Sequence, residues 1–227
     1  MSTSVSETAR TSAKIPLGRF VVSADIVVPG NATGIVVFAH GSGSGRYSPR
    51  NRHVADVLNQ GGIATVLADL LTEEEEAVDS ETAALRFDIM LLGHRLIGIT
   101  NWIEAQPELS GFALGYFGAS TGAAAALVAA AERPDKVRAV VSRGGRPDLA
   151  ADFLARVSAP TLFIVGSRDP IVLDLNYSAI THLPMTTEFK VEIVRGASHL
   201  FQEPGTLDQV AVLARQWFLR HLRPKGH

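Results

Sequence analysis

The sequence predicts an α/β fold in which a mostly parallel central sheet carries helices on both faces. Short apolar runs without charge, such as TGIVVFA at residues 33–39, are typical of strands that are buried on both faces. Helical patterns alternate with these runs along the chain, as a parallel sheet requires. Ligands bind outside the carboxyl ends of such strands, and several of the predicted strands are followed directly by polar or glycine-rich residues.

In the first part of the chain, apolar segments predict strands at residues 20–28, 33–39 and 63–68. A Pro-Gly-Asn turn closes the first strand, and a glycine-rich run follows the second. Apolar residues at helical spacing predict helices at residues 52–60 and 81–105. Residues 70–80 contain four consecutive glutamates and are predicted to form a solvated loop.

In the second part, strands are predicted at residues 112–117, 137–141, 160–165 and 188–194, and the first of these is apolar and aromatic without any charge. Helices are predicted at residues 120–132, 149–157, 171–183 and 206–221. The first of these helices is rich in alanine and is stopped by Pro134, and the last is amphipathic. No repeat or linker divides the chain. We therefore predict a loosely ordered tail at residues 1–18 and a single domain at residues 19–223.

The composition excludes several classes of function. Of the 227 residues, 46% are hydrophobic and 19% are charged, as in soluble globular proteins. A net charge of −2 without a basic stripe argues against nucleic acid as a partner. The absence of cysteine excludes disulfides, thiolate metal sites and a cysteine nucleophile. No apolar run reaches membrane-span length, and residues 1–14 lack the apolar core of a secretory signal. We therefore predict a cytoplasmic protein with no membrane contact. We also predict that the protein holds no metal.

The motif G-x-S-x-G occupies residues 118–122, between a predicted strand and a predicted helix. In this context the motif places Ser120 in a strained turn, with its hydroxyl at the top of the sheet. Glycine is needed two residues before and after the serine because bulkier side chains would collide with the neighbouring chain. The alternative is a chance match in a glycine-rich loop, which the flanking strand and helix disfavour.

A serine hydroxyl needs a base, and the base needs a group that orients it. We predict that His199 is the base and Asp169 its orienting group, because each follows a separate predicted strand. The alternatives are a surface histidine and a turn aspartate, and Asp174 is a rival that lies inside a predicted helix. His40 also follows a strand, but it precedes the serine and is predicted to brace its loop.

An oxyanion hole requires two preorganised N–H donors. The backbone N–H of Thr121, at the start of the helix, is the first candidate. The N–H of Ser42, in the glycine-rich run after residue 39, is the second. The alternative is a phosphate-binding loop, but neither G-x-x-x-x-G-K-[ST] nor G-x-G-x-x-G is present.

Taken together, these segments resemble the α/β-hydrolases, and most closely the small dienelactone-hydrolase-like group. The segments that carry the resemblance are VVFAHGSGSG, GYFGASTGAAAAL, VVSRGGRPDLA, PTLFIVGSRDPIV and GASHLF. The resemblance implies that a small-molecule carboxylic ester is hydrolysed through an acyl-enzyme, with no cofactor. Dienelactone hydrolases carry a cysteine nucleophile, whereas this chain has Ser120 at that position. Similar domains also occur fused to phosphoribosyltransferase-like domains, and we expect none in this chain.

The short segment between the strands that end near residues 141 and 165 leaves no room for a large cap, so we expect an open site. Arg46, Arg143 and Arg146 lie in loops or strand ends at the catalytic edge, and one of them is a candidate to bind an anionic substrate group. The alternative is that these arginines tie loops to carboxylates such as that of Asp148.

Other functions share the predicted residues. Thioesterases, peptidases and perhydrolases use the same Ser-His-Asp set, and the sequence does not separate them from esterases. A non-catalytic binding protein on a hydrolase fold belongs to a different class, and an intact set of all three residues disfavours it. The terminal helix and any free sheet edge are candidate contacts for a homodimer.

Overall fold

The computed structural model describes residues 8–222. Within this range eight strands form one sheet: β1 (Ala9–Leu17), β2 (Phe20–Val28), β3 (Gly34–Ala39), β4 (Ala64–Ala68), β5 (Ala113–Ala119), β6 (Val137–Arg143), β7 (Thr161–Gly166) and β8 (Phe189–Val194). The helices are α1 (Pro49–Gln60), α2 (Glu73–Thr82), α3 (Ile89–Glu104), α4 (Thr121–Glu132), α5 (Ala151–Leu154), α6 (Pro170–Ile180) and α7 (Thr206–His221). Two short 3-10 helices occupy Leu85–Phe87 and Pro147–Ala150.

The sheet has the strand order β1-β2-β4-β3-β5-β6-β7-β8. From β4 to β8 all neighbouring strands are parallel, whereas β1 and β2 join one edge in antiparallel fashion. Every residue of β3, β4 and β7 is buried, as expected for strands that are covered on both faces. The predicted fold class, a mostly parallel sheet with helices and no large cap, is confirmed. Between residues 8 and 222 no helix is both long and apolar enough to cross a bilayer.

Two layers of helices cover the sheet, and neighbouring residues of β5 show how the core is divided. Tyr116 points to the α3 and α4 side, where its hydroxyl lies 2.6 Å from the Thr100 hydroxyl in a buried hydrogen bond. Phe117 points to the α1 and α7 side, where its ring centroid lies 4.9 Å from that of Phe38. Because consecutive strand residues face opposite ways, β5 anchors both layers and fixes the turn that follows it.

The prediction of a loose tail at residues 1–18 is wrong for residues 9–17. They form β1, whose residues pair with β2 from Ala9 opposite Val28 to Leu17 opposite Phe20. Most of β1 is exposed and Ile15 is its one buried residue, so the strand lacks the apolar pattern that sequence reasoning requires. Backbone pairing with β2 holds such an edge strand in place. The predicted domain therefore begins before residue 19, and residues 1–7 lie outside the described part of the chain.

The predicted loop at residues 70–80 is also wrong, because α2 occupies most of it. The Thr72 hydroxyl accepts from the N–H of Glu75 at 3.1 Å, and Glu75 accepts from the N–H of Thr72 at 2.8 Å, which makes a capping box. The consecutive glutamates fill the first turn, where the helix dipole stabilises negative charge. Sequence reasoning treated these charges as a sign of a loop and missed their position at a helix start.

The single helix predicted at residues 81–105 is divided. Ala83 has φ of 55°, which ends α2, and the 3-10 helix Leu85–Phe87 follows. The side chain of Asp88 then accepts from the N–H of Leu91 at 2.9 Å and begins α3 at Ile89. The segment predicted as a helix at 149–157 is a 3-10 turn followed by the four-residue α5. The other predicted helices and strands are confirmed, with small shifts at their ends.

Candidate active site

The sequence-predicted site residues lie at one edge of the sheet. Ser42 follows β3, Ser120 follows β5, Asp169 follows β7 and His199 follows β8. These four strands are parallel members of the same sheet, so their carboxyl ends meet at that edge. The topology alone therefore gathers residues that are far apart in the sequence.

Ser120 sits in a strained turn between β5 and α4. Its φ of 51° and ψ of −120° are rare for a residue with a side chain. A Cβ on Gly122 would lie 2.2 Å from the carbonyl oxygen of Ala39, and one on Gly118 would lie 2.4 Å from Cα of Ala123. Both positions therefore require glycine, as the motif predicts. The tight packing of α4 against β3 and β5 stabilises the strained backbone conformation of Ser120.

His199 and Asp169 are in direct contact. The Nδ1–H of His199 donates to Oδ2 of Asp169 at 2.6 Å. The Asp169 side chain is 15% exposed and that of His199 is 38% exposed, so the carboxylate is buried behind the imidazole and the ring reaches solvent. Because Nδ1 is engaged, Nε2 is the nitrogen that is left to exchange a proton with another group.

The loop of Ser120 and the loop of His199 meet at the end of β6. The N–H of Ser120 donates to the carbonyl of Arg143 at 3.2 Å. The next residue, Gly144, lies under His199, since a Cβ built on it would be 3.5 Å from Nδ1 of the ring. Within the described residues no hydrogen bond joins the Ser120 hydroxyl to His199.

The two predicted oxyanion donors lie in the two loops next to Ser120. Thr121 is the first residue of α4, where backbone N–H groups have no partner inside the helix. Ser42 follows Gly41, and a Cβ built on Gly41 would be 3.3 Å from Cβ of Ser120. The hydroxyls of Ser42 and Thr121 are 3.1 Å apart, so a hydrogen bond joins the two loops.

His40 fixes the loop that carries Ser42. Its Nε2 accepts from the N–H of Leu70 at 3.0 Å, and its Nδ1–H donates to the carbonyl of Gly41 at 3.1 Å. Burial lowers the pKa of His40, although the Gly41 hydrogen bond and the negative charges of Asp69 and Glu76 oppose the shift. The neutral imidazole therefore ties the end of β3 to the segment after β4.

Two of the three predicted substrate-binding arginines are tied to carboxylates. Arg46 forms an ion pair with Asp69. Arg146 binds Asp148 through two parallel hydrogen bonds of 2.8 Å and 2.7 Å. These contacts match the alternative interpretation, in which arginines hold loops in place. Arg143 differs, since no carboxylate among residues 8–222 pairs with it and its side chain is buried.

Sequence reasoning missed Arg50, the second residue of α1. Its Nε is buried and has no hydrogen-bond partner among the described residues, and the same is true of Nε of Arg143. Burial, and to a smaller extent the positive charge of Arg50, lower the pKa of Arg143 to about 10. The segment from Arg46 to Arg52 contains three arginines, and the sequence does not reveal which of them has no carboxylate partner in the folded protein.

No group of three or more His, Asp or Glu side chains in residues 8–222 is arranged to hold a metal ion. A second histidine–aspartate pair exists, in which Nε2 of His53 lies 2.7 Å from Oδ1 of Asp208. This pair joins α1 to α7, and neither residue follows a strand. It resembles the His199–Asp169 pair in chemistry but not in position.

The model of the dienelactone hydrolase family matches residues 22–219. Two curated proteins from Mycobacterium tuberculosis strains, both described as putative phosphoribosyl transferases, are 56% identical over 213 residues. The alignment covers 94% of this chain but 47% of each relative, so this chain spans about half their length.

Solved structures are similar over nearly the whole chain. A dienelactone hydrolase from Anabaena variabilis has a TM-score of 0.93 and 54% identity, over 95% of this chain and 99% of that one. Est1E from Butyrivibrio proteoclasticus has a TM-score of 0.76 and 14% identity, over 92% of this chain and 98% of that one. At that identity the second likeness supports the fold alone.

Proposed function

Because the chain belongs to the dienelactone hydrolase family and is a hydrolase, we propose that it cleaves small carboxylic esters through an acyl-enzyme formed on Ser120. The observation that carries the proposal is the 2.6 Å hydrogen bond between His199 and Asp169, at the same sheet edge as the strained Ser120. A base that is oriented by a mostly buried carboxylate, with a half-buried turn serine at the same sheet edge, is the arrangement that activates a hydroxyl.

In the proposed acylation step, the Ser120 oxygen attacks the ester carbon and Nε2 of His199 takes the hydroxyl proton. The bond to the leaving alcohol then breaks, and His199 returns the proton to that alcohol. In deacylation, water attacks the acyl carbon while His199 takes its proton, and the released Ser120 oxygen recovers it. Asp169 holds Nδ1 of His199 and stabilises the imidazolium that forms in each step.

The negative charge that develops on the ester oxygen needs donors that are already in place. In the proposed mechanism the N–H groups of Thr121 and Ser42 supply them, and the dipole of α4 adds to the effect. The packing of Gly41 against Ser120 and the hydrogen bonds of His40 support this role, because they hold Ser42 close to the reacting atom.

The name of the mycobacterial relatives suggests a different activity, phosphoribosyl transfer. This chain spans about half the length of those proteins, so their name does not say which part carries that activity. The match to the hydrolase family covers residues 22–219, which include Ser120, Asp169 and His199. We therefore propose hydrolysis for this chain. A pyrophosphate-release assay with phosphoribosyl pyrophosphate is the direct check of the other activity.

The test is hydrolysis of a short series of p-nitrophenyl esters, with labelling by a fluorophosphonate probe. Wild-type protein should turn over the esters and bind the probe, and Ser120→Ala should do neither. His199→Gln should lose activity, whereas His53→Gln, in the pair at α1 and α7, should keep it. Labelling without ester turnover, followed by turnover of an acyl thioester, would replace the esterase proposal with a thioesterase. Absence of labelling would favour the alternative function, that of a non-catalytic binding protein with a hydrolase fold.

A further inference from the structure

We propose that the outer edge of β8 is a docking surface for the β8 strand of a second copy of this chain. β8 is the last strand in the sheet order, and among residues 8–222 no strand pairs with its outer edge. An unpaired strand presents a row of backbone N–H and C=O groups to any strand that fits against it. The inference concerns an interface and does not depend on the reaction proposed at Ser120.

The two edges of the sheet differ in how they are protected. β1 forms the other edge, and its exposed positions hold small, polar or charged residues and Pro16. Charged residues and proline at an edge discourage pairing with another chain. β8 instead exposes two large apolar side chains, Phe189 at 45% and Ile193 at 44%. Apolar side chains at an unpaired edge indicate a surface that another strand covers.

The backbone of β8 determines which of its residues can pair with a second copy. The carbonyls of Glu188 and Val194 accept from backbone N–H groups of β7 and of the residue that follows it. Backbone groups of consecutive strand residues point to opposite sides, so those of Phe189, Val191 and Ile193 point away from β7. An added strand therefore forms its hydrogen bonds with these three residues.

The charges of β8 select one antiparallel register. When Val191 lies opposite Val191 of the second copy, Lys190 lies opposite Glu192 of that copy, and Phe189 lies opposite Ile193. Opposite charges and apolar side chains at facing positions stabilise a sheet. Moving the centre by one residue places Lys190 against Lys190 or Glu192 against Glu192, and larger shifts leave at most half of β8 paired. A two-fold axis at Val191 therefore suits both the backbone and the side chains.

Lys190 has an alternative interpretation, as a charge that keeps an exposed edge free of partners. Lysine on an edge strand commonly has that effect. In β8, however, Glu192 follows two residues later on the same face and forms an ion pair with Lys190. In the proposed register this pair faces the same pair of the second copy with the signs reversed. Each charge then lies next to opposite charges only.

The proposed dimer leaves both candidate active sites open. His199 lies beyond the carboxyl end of β8, and the carboxyl ends of two antiparallel strands point in opposite directions. The two sheets therefore join into one, with the two catalytic edges facing opposite ways. Dimer formation and ester hydrolysis can then be measured separately, so the failure of one proposal leaves the other standing.

Sedimentation velocity over a concentration series tests the association. Because an interface built on one strand pair is small, we expect a reversible monomer–dimer equilibrium between about 1 and 300 µM. Lys190→Glu leaves only acids at the facing positions, and Glu192→Lys leaves only lysines, so each variant alone should raise the dissociation constant at least about 10-fold. A wild type that is monomeric at every concentration overturns the proposal. A dimer that both variants leave intact overturns it as well.

An equimolar mixture of these two variants is the matched control. The acidic edge of one variant is complementary to the basic edge of the other, so the mixture should form a heterodimer even though neither variant dimerises alone. Damage to the fold does not produce this recovery, and urea denaturation of each variant checks the fold independently. A mixture that stays monomeric overturns the proposal.

Cross-linking tests the register directly, because the chain has no cysteine. Val191→Cys places two thiols on facing residues whose Cα atoms are about 5.5 Å apart, within the range of a disulfide. Phe189→Cys is the control, since in this register the two copies of that residue are roughly 14 Å apart along the strands. With oxidised glutathione the first variant should form a disulfide-linked dimer and the second should not. Equal cross-linking of both variants, or of neither, overturns the proposal.

Discussion

The backbone N–H of Ser120 donates to the carbonyl oxygen of Arg143 at 3.2 Å. The strained serine is therefore hydrogen-bonded to the last residue of β6, whose guanidinium is buried. The nucleophile that we propose is thus held directly by the residue whose side chain carries an unpaired charge. Arg143 combines a backbone that positions the site with a buried side chain whose charge has no counter-ion among residues 8–222.

Arg143→Met should therefore stabilise the protein. Replacing a buried charge with an apolar side chain of similar length removes the desolvation cost, and we expect a gain of about 1–4 kcal/mol in the free energy of unfolding at neutral pH. Urea denaturation measures it. A residue that is kept at a cost to stability is typical of a functional site.

The matched control for this prediction is Arg95→Met. Arg95 is 4% exposed, about as buried as Arg143, but it pairs with Glu75 at 2.6 Å. Its replacement leaves that carboxylate without its partner and should destabilise by about 1–3 kcal/mol. If both variants lost stability, Arg143 would be an ordinary structural residue.

His40 should make stability depend on pH on the acid side. Burial lowers the pKa of His40 in the folded protein below the ordinary value of 6.5. The unfolded chain then binds more protons at pH values between the two pKa values, so stability falls as the pH drops below about 6.5. Protonation also removes the acceptor for the N–H of Leu70.

The measurement is the urea midpoint of wild type and His40→Gln at several pH values. Glutamine keeps a side-chain oxygen that can accept from Leu70 but does not titrate, so the decline between pH 6.5 and about pH 5 should be smaller in the variant. A decline of equal steepness in both proteins would assign the pH dependence to other groups.

The sequence predicts the central sheet well because its signals are local. The apolar runs of β3, β5 and β7 mark strands that are buried on both faces, and each is confirmed. Ser120 is recognisable because its strained turn needs glycine on both sides, and this need appears directly in the sequence. The roles of His199 and Asp169 remain predictions, although their contact was expected because each follows a separate strand and because Ser, Asp and His occur in the chain order of α/β-hydrolases.

The errors at β1 and Arg50 come from features that depend on distant partners, whereas the error at α2 comes from a local signal. β1 is polar, and pairing with β2 makes it a strand. The glutamates of α2 indicate a helix only when the capping box of Thr72 and Glu75 is recognised. Arg50 cannot be distinguished from Arg46 or Arg52 in the sequence, because the acids that pair with the other two lie in distant segments.

Gly122→Ala should unfold or severely destabilise the protein. A Cβ at this position would lie 2.2 Å from the carbonyl oxygen of Ala39, and backbone cannot move away cheaply at the centre of the sheet. We expect a loss above about 3 kcal/mol, as for other severe steric conflicts in a core. Gly111→Ala is the matched control, since a Cβ there meets nothing within 4 Å. Thermal unfolding of the two variants should differ strongly, and similar values would contradict the role that we give to the elbow.

Asp169→Asn should abolish most ester hydrolysis without unfolding the protein. The amide can donate to Nδ1 of His199, which would place the ring proton on Nε2 and leave no base for Ser120. We expect kcat to fall by about 10⁴-fold, the effect of the same change in the Ser-His-Asp triad of a serine protease. Asp208→Asn is the control, because it alters the similar His53–Asp208 contact away from the sheet edge. Full activity in Asp169→Asn, measured with p-nitrophenyl esters, would show that another group orients His199. Activity lost in both variants would indicate a general effect of removing either carboxylate.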